Sequence, residues 1–535
     1  MSHRLQISDH RPSVGSVIVT ALGILGVFLG FVAWAVSSPV DGSPDDDYHL
    51  STIWCPPHLE GAGCDTQTDG GARESVSVPE SVKDSAKCLA FHSDQSASCA
   101  DTLSDTRDVR TQRFDDGGYP VGYYQFHHLF VGEDVHRSII VMRLVNVLLG
   151  LGGIVAVGLL ADPRVRHCVL VAAIAAWVPM GVYFIGSNNP SSWAISGCLI
   201  YGAALIAATG TQGKRRGALL ALAIYGAVLS ATSRGDSAFF MFVISLAVWL
   251  LVRFDRPQRP VLVVSLAATI GGLAAFLSTG QAASLTADGG WPTDTSSSIV
   301  RIALVNVNSL LDYVATFWGY GYGPGWVDVP LPSWSTLTMI FLAGGVMFVG
   351  AEELTARKLL AATVLLGATV GIPLVTMTMR RVHPLTFYQG RYMLPLLAVF
   401  FLVWLLRRRR PQPFTSNGQL VLIMGVASVA NAFALRRLIT RYATGINGSW
   451  TGGLDAPAWW PWALPAKAVL LVGAVAMALG IVALLLVSRG SLKRANALAA
   501  PGAFPRVADE AAHVPDDGAS PRRPTESAEV LQDRP

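Results

Sequence analysis

The chain has 535 residues, of which 51% are hydrophobic and only 14% charged. A soluble globular chain carries about 25% charged residues, so this composition excludes that class, and the apolar content excludes wholesale disorder. Six cysteines are too sparse for a disulfide scaffold, and a net charge of +4 is too small to argue for nucleic acid. The composition describes a polytopic membrane protein.

A spanning helix needs roughly 20 mostly apolar residues, because lipid offers its backbone no hydrogen-bond partners. The first such segment runs from Val14 to Val36. It is longer than a signal-peptide core and no small-residue cleavage site follows it, so it reads as a retained span. Later segments start near Ile139, Cys168, Ser192, Gly217, Ala238, Val261, Leu337, Leu359, Tyr392, Leu420 and Ala468, which predicts about 12 transmembrane helices. With the N-terminus inside, the cytoplasmic connections carry Arg164 and Arg166, Lys214 to Arg216, Arg253, Arg256 and Arg259, Arg357 and Lys358, Arg407 to Arg410, and Lys493 and Arg494. The positive-inside rule then places both termini in the cytoplasm of a cell (plasma) membrane.

Four regions follow. Residues 1–36 hold a short cytoplasmic N-terminus and the first span, and residues 37–137 an exoplasmic loop. Residues 138–488 form the multi-spanning domain and 489–535 a cytoplasmic tail, disordered in composition from about Ala499. The exoplasmic loop holds about half of the acidic residues and four of the six cysteines, Cys55, Cys64, Cys88 and Cys99. Two disulfides are expected, with Cys55–Cys64 and Cys88–Cys99 favoured as the local closures. The spacings are wider than those of zinc-binding pairs.

Two other outer segments are rich in tryptophan. Thr279 to Pro332 contains Trp291, Trp318, Trp326, a Gly-Tyr-Gly-Tyr-Gly-Pro-Gly run from Gly319, and a stretch from Ile299 to Phe317 expected as an interfacial amphipathic helix. Thr440 to Lys467 contains Trp450, Trp459, Trp460 and Trp462. An interfacial aromatic belt is the favoured reading, and sugar stacking is a second use.

Chemistry concentrates just after the first span, in Ser-Pro-Val-Asp-Gly-Ser-Pro-Asp-Asp-Asp-Tyr-His ending at His49. Three successive carboxylates repel one another and raise at least one pKa, which suits a general base or a divalent cation. Against this stands a solvated acidic turn. Pro39 and Pro44 stiffen the segment. Basic residues on the outer face run against the charge rule: Arg380, Arg381, His383 and Arg391, then Arg436, Arg437 and Arg441, then Arg137 and Arg143. Arg143 and Arg391 fall near the interface, where an unpaired charge is expensive. Either they grip a lipid-linked phosphate, which the arginine fork matches, or they pair with the acidic loop or with headgroups. Ser187 to Ser192 reads as a helix cap, and the adjacent His127 and His128 make no obvious metal pair.

Together these elements resemble the GT-C superfamily of integral-membrane glycosyltransferases, and more closely an uncharacterised bacterial multi-spanning family placed with it. Pro44-Asp45-Asp46-Asp47-Tyr48-His49 is similar to that family's Pro-Asp-Glu-x-x-His pattern, with Asp46 in place of Glu. Further similarities are Tyr119-Pro120-Val121-Gly122-Tyr123-Tyr124, Arg143-Leu144-Val145-Asn146, Asn189-Pro190-Ser191 and Gln389-Gly390-Arg391-Tyr392-Met393-Leu394-Pro395.

The resemblance implies a polyprenyl-phosphate-linked sugar donor and a cell-envelope glycan, lipid or protein acceptor, used at the outer face. Asp45 is then the catalytic base, with Asp46 and His49 beside it. Mg or Mn is a possible cofactor, held by Asp45 and Asp46. Arg391, with Arg143 and Arg381, is a candidate for the donor phosphate; Tyr123, Tyr124, Asn189, Gln389 and Tyr392 are candidates for the substrate lining. The competing readings are a transporter or flippase of envelope precursors and a non-catalytic assembly factor. Carboxylates outside the spans rather than within them count against a coupled carrier.

Overall fold

A computed structural model describes residues 13–59, 63–70, 72–252, 255–280, 291–407, 416–447, 454, 459 and 464–498. The tail from 499, Arg408 to Arg410, and Trp450, Trp460 and Trp462 lie outside the described residues. The chain is mainly helical, and every one of the twelve apolar segments forms a helix. These are α1 (Val14–Val36), α5 (Val135–Leu160), α6 (Pro163–Trp177), α8 (Ser191–Thr209), α9 (Gly213–Ser233) and α10 (Gly235–Leu251) in the first half. In the second half they are α11 (Arg259–Leu277), α14 (Ser333–Gly350), α15 (Ala356–Met379), α16 (Leu394–Leu405), α17 (Asn417–Thr444) and α18 (Ala466–Leu498).

Among the described residues nine helices are long and apolar enough to span, or up to ten if one bent pair is counted as a span. The three shorter ones, α6, α10 and α16, have a physical reason to be apolar without the usual length. Every residue of α16 except Trp404 is buried, so its hydropathy reflects contact with other helices as much as with lipid. The bent pair is α12 (Ile299–Asn308) and α13 (Leu310–Ala315), continued as a 3-10 turn to Trp318 and kinked by 49°. This is the segment expected as one amphipathic helix. It is helical but broken at Ser309, whose hydroxyl accepts from the Leu385 amide.

The first and last helices pack closely. A Cβ at Gly26 would stand 2.6 Å from the Ala476 carbonyl and 3.0 Å from the Gly480 Cα, so this contact requires glycine. Trp34 near the end of α1 donates to Asn431 of α17 at 2.9 Å.

The 37–134 loop is a folded cap whose apolar residues join the hydrophobic core of the helices. It contains α2 (Asp46–Trp54), α3 (Glu80–Leu89) and α4 (Gly122–His128). A small antiparallel sheet of order β1-β2-β3 joins Thr66–Asp69, Ala72–Pro79 and Asp108–Thr111. Val76, Val78, Val82 and Leu89 are fully buried beneath it. Cys55–Cys64 and Cys88–Cys99 are disulfides, the two expected pairings. Arg73 fastens the sheet to the acidic region, donating to the carbonyls of Cys55 (2.9 Å) and Asp115 (2.7 Å) and to Asp116 (2.8 Å).

The tryptophan reading changes in part. Trp318 and Trp326 are buried and donate to the carbonyls of Ala175 (2.8 Å) and Asp41 (2.6 Å). Indoles that need a buried acceptor serve as internal struts here rather than as an interfacial belt.

Candidate functional site

The acidic turn links α1 to α2 and is held from several elements at once. Asp45 caps α2 with φ 61°, a left-handed conformation that Asp and Asn tolerate better than most residues. Its side chain makes no cap bond, and its oxygens accept from arginines instead. Asn189, ahead of α8, donates to the Pro44 carbonyl at 2.9 Å and accepts from the Ser191 amide at 2.9 Å. Tyr183, from α7 (Met180–Ile185), and Tyr442 hold the Gly42 carbonyl at 2.9 and 2.5 Å. The glycine run beginning at Gly319 closes the same region, with the Gly325 carbonyl 3.0 Å from the Tyr183 hydroxyl. Gly323 sits too close to the Val329 carbonyl for any side chain.

The three carboxylates have different surroundings. Asp46 is fully buried: it accepts from the Ser43 amide at 3.0 Å and from the Ser43 hydroxyl, and lies 3.6 Å from Arg143. Burial outweighs these partners and pushes its pKa up to about 6. Asp47 is bonded to Arg113 Nε, and burial raises its pKa. Asp45 alone is well exposed, with 42% of its side chain accessible. Its oxygens face two guanidinium groups, Arg391 Nη2 and Arg113 Nη2, each at 3.1 Å. Burial acts to raise Asp45, but the charges around it, Arg391 first among them, prevail and hold its carboxyl below the usual range.

Arg391 is buried, with 4% of its side chain accessible. One end donates from Nη2 to Asp45 and, at 2.9 Å, to the Tyr392 hydroxyl. Its guanidinium carbon stands 5.5 Å from the Phe184 ring centroid and 4.8 Å from that of Tyr392. Its Nε and Nη1 groups are buried without a hydrogen-bond partner. A buried guanidinium with unused donors beside an accessible carboxylate is the chemically distinctive feature of the protein. Arg234 borders it, 4.8 Å from the Tyr392 ring and 5.7 Å from the Tyr119 ring, and is paired with Asp236 through two bonds of 2.9 and 2.7 Å.

The remaining candidates divide. His49 is buried against Tyr124, Nδ1 to hydroxyl at 2.9 Å, and Gln389 carries a buried Oε1 with no partner. Tyr123 is bonded to Asn146, which also takes the Ser187 carbonyl, His127 and Trp193. Tyr123, Tyr124 and Asn189 are buried; Asn189 holds the turn directly, Tyr124 meets His49, and Tyr123 packs behind Tyr124. Arg143 is also buried; it donates to the carbonyls of Ala35 (3.2 Å), Ser38 (2.6 Å) and Pro39 (2.8 Å) as well as facing Asp46. Arg381 donates to the Ser297 carbonyl at 2.8 Å, fixing a neighbouring loop. Arg113, Arg234 and Asp236 escape sequence reasoning: Arg113 is a loop residue without a motif. Arg234 and Asp236 are charges interrupting an apolar stretch, which is the signal that marks them.

Asp45 and Asp46, the pair considered for Mg or Mn, turn their carboxylates toward different arginines. Among the described residues no group of three or more His, Cys, Asp or Glu is placed to hold a metal ion together. A cation there meets guanidinium charge on both carboxylates, so the donor set fits one poorly.

His49 carries a pH dependence. Burial lowers its imidazole to about 3, whereas an unfolded histidine titrates near 6.5. Between those values the unfolded chain binds the extra proton. The contribution of His49 to stability is therefore expected to fall as pH drops from 6.5 toward 3, by at most about 1.4 kcal/mol per pH unit. Asp46 contributes in the opposite sense, because its raised pKa favours the folded state as pH falls through about 6. Thermal unfolding of the purified protein at pH 7.5, 6 and 5 checks this, with a shallower dependence expected for His49→Gln. An identical slope in both proteins places the acid sensitivity elsewhere.

A helical bundle with nine to ten candidate spans among the described residues, a folded cap, and an accessible carboxylate paired with a buried arginine defines a polytopic membrane protein. The chain belongs to the DUF2142 family, described as predicted membrane proteins, whose sequence profile matches residues 28–400. That stretch contains the acidic turn, Arg143, Asn189, Arg234 and Arg391. Curated proteins show no significant match to the chain.

Proposed function

We propose that the protein is a GT-C-like membrane glycosyltransferase of the cell membrane, with both termini cytoplasmic, that moves a sugar from a polyprenyl-phosphate-linked donor to a cell-envelope acceptor at the outer face. One observation carries this reading: accessible Asp45 shares a salt bridge with buried Arg391, whose Nε and Nη1 donors are unused.

In this reaction an acceptor hydroxyl loses its proton to Asp45 as its oxygen bonds to the anomeric carbon. The bond from that carbon to the phosphate oxygen breaks, and the electron pair leaves with the prenyl phosphate. The phosphate gains negative charge at the moment Arg391 can answer it with two further hydrogen bonds. Asp46, locked between Ser43 and Arg143, positions the turn, and neutral His49 supports it from beneath. Arg113, half exposed between Asp45 and Asp47, is free to yield Asp45 to the acceptor.

The test is a transfer assay. Purified full-length protein in liposomes is given polyprenyl-phosphate hexoses and pentoses with cell-envelope extract as acceptor. Release of polyprenyl phosphate together with labelled acceptor is the expected result. Movement of intact donor between leaflets without cleavage overturns the proposal in favour of a flippase.

A further inference from the structure

A second feature lies outside the family-matched segment, between α17 and α18. A groove of about 670 Å³ is lined by nine residues, of which seven are apolar and two, Arg436 and Lys467, are cationic; none is acidic. The two helices bring the cations to the same end. On α17, Arg436 follows Ala432 and Phe433 by a helical turn toward the C-terminus. On α18, Lys467 precedes Leu470, Leu471 and Ala474. From Lys467 to Ala474 the groove runs about 10 Å along the helix, within one leaflet of hydrocarbon.

The two ends differ in chemistry. Leu471 is 65% exposed, so the apolar end opens sideways, toward the bilayer. The Phe433 ring meets Trp334 of α14 edge-on at 4.5 Å, which makes one wall rigid. At the other end Arg436 is bonded to Thr440 one turn above it, which holds its guanidinium at the groove, and Lys467 is exposed. An apolar channel open to lipid and closed by two cations is complementary to one phosphate carrying hydrocarbon chains.

We infer that this groove binds an anionic glycerophospholipid, with its phosphate at Arg436 and Lys467 and an acyl chain along Phe433, Leu470, Leu471 and Ala474. The lipid is not the sugar donor, whose phosphate belongs beside Arg391, and the inference stands whether or not the transferase reading holds. Its effect reaches the acidic turn through α17. Less than two turns beyond Arg436, Arg441 donates to the carbonyls of Leu89 and Gln95 in the cap, each at 2.6 Å, and Tyr442 holds Gly42. A bound lipid therefore stiffens the helix that carries these contacts.

The experiment uses the full-length protein in neutral detergent, with native mass spectrometry and thermal unfolding during titration with phosphatidylglycerol, phosphatidylcholine or polyprenyl phosphate. Phosphatidylglycerol is expected to be retained in preference to phosphatidylcholine and to raise the melting temperature. Arg436→Gln combined with Lys467→Gln is expected to weaken phosphatidylglycerol binding roughly 10- to 30-fold. Ala474→Phe, which fills the groove without touching its charge, weakens both phospholipids. Arg437→Gln is the charge-matched control: Arg437 donates to the Pro330 and Ile446 carbonyls, is not part of the lining, and its loss leaves the preference intact. Equal retention of the two phospholipids, an unchanged preference in the double variant, or selective uptake of polyprenyl phosphate overturns the inference.

Discussion

Asp45→Asn is expected to lower the rate of sugar transfer by about 10²- to 10⁴-fold, the usual consequence of losing a general base. Asparagine keeps the volume and tolerates the left-handed backbone that Asp45 adopts, so the substitution isolates the charge. It also leaves Arg391 and Arg113 without their shared carboxylate, so donor binding must be measured beside the rate. Asp47→Asn is the comparison. Among the described arginines Asp47 is paired with Arg113 alone, and it is mostly buried, so its loss is expected to cost less than roughly 10-fold. Should both substitutions be equally damaging and divalent cation restore activity, the cluster binds metal. Full activity of purified Asp45→Asn returns the triple aspartate to a solvated turn.

Arg391→Ala is expected to weaken donor binding by roughly 10- to 150-fold, the worth of one hydrogen-bonded charge at about 1.5–3 kcal/mol. Arg391→Lys should recover only part of this. An ammonium cannot present the planar fork, nor spread its charge over the Tyr392 and Phe184 rings, whose centroids lie 4.8 and 5.5 Å from the guanidinium carbon. Equilibrium binding of a polyprenyl-phosphate sugar to the detergent-solubilised variants decides the matter. Unchanged affinity in a folded Arg391→Ala protein removes Arg391 from the site and reduces it to a counter-ion for Asp45.

Hydropathy made the helices legible, because a spanning segment and a buried one obey the same demand for an apolar surface. For that reason it could not separate them: α16 is as apolar as any span, yet is enclosed by its neighbours. The disulfides were legible because local closure is geometrically simple. The cap's sheet was not, since strands of four to eight residues among polar turns give little periodicity. Within the site, the acidic turn and Arg391 were readable because a charge near the membrane interface is costly and therefore informative. What they touch was not. Asp46 and Arg143 each look expensive alone, and only the fold shows that they face one another. Arg113 reaches Asp45 across 68 residues of sequence, a pairing that no local pattern encodes.

The contacts of Gly42 set an order on biosynthesis. The acidic turn emerges from the ribosome early, directly after α1, but one of its two tyrosine hydroxyls belongs to Tyr442 and the cap's clamp to Arg441. The nascent chain must therefore carry the turn through the insertion of α5 to α16 before α17 arrives to secure it. A chain stopped ahead of α17 would keep every residue of the proposed reaction and lack the helix that holds them in register, so a defect in the late spans is expected to read out at the opposite end of the sequence.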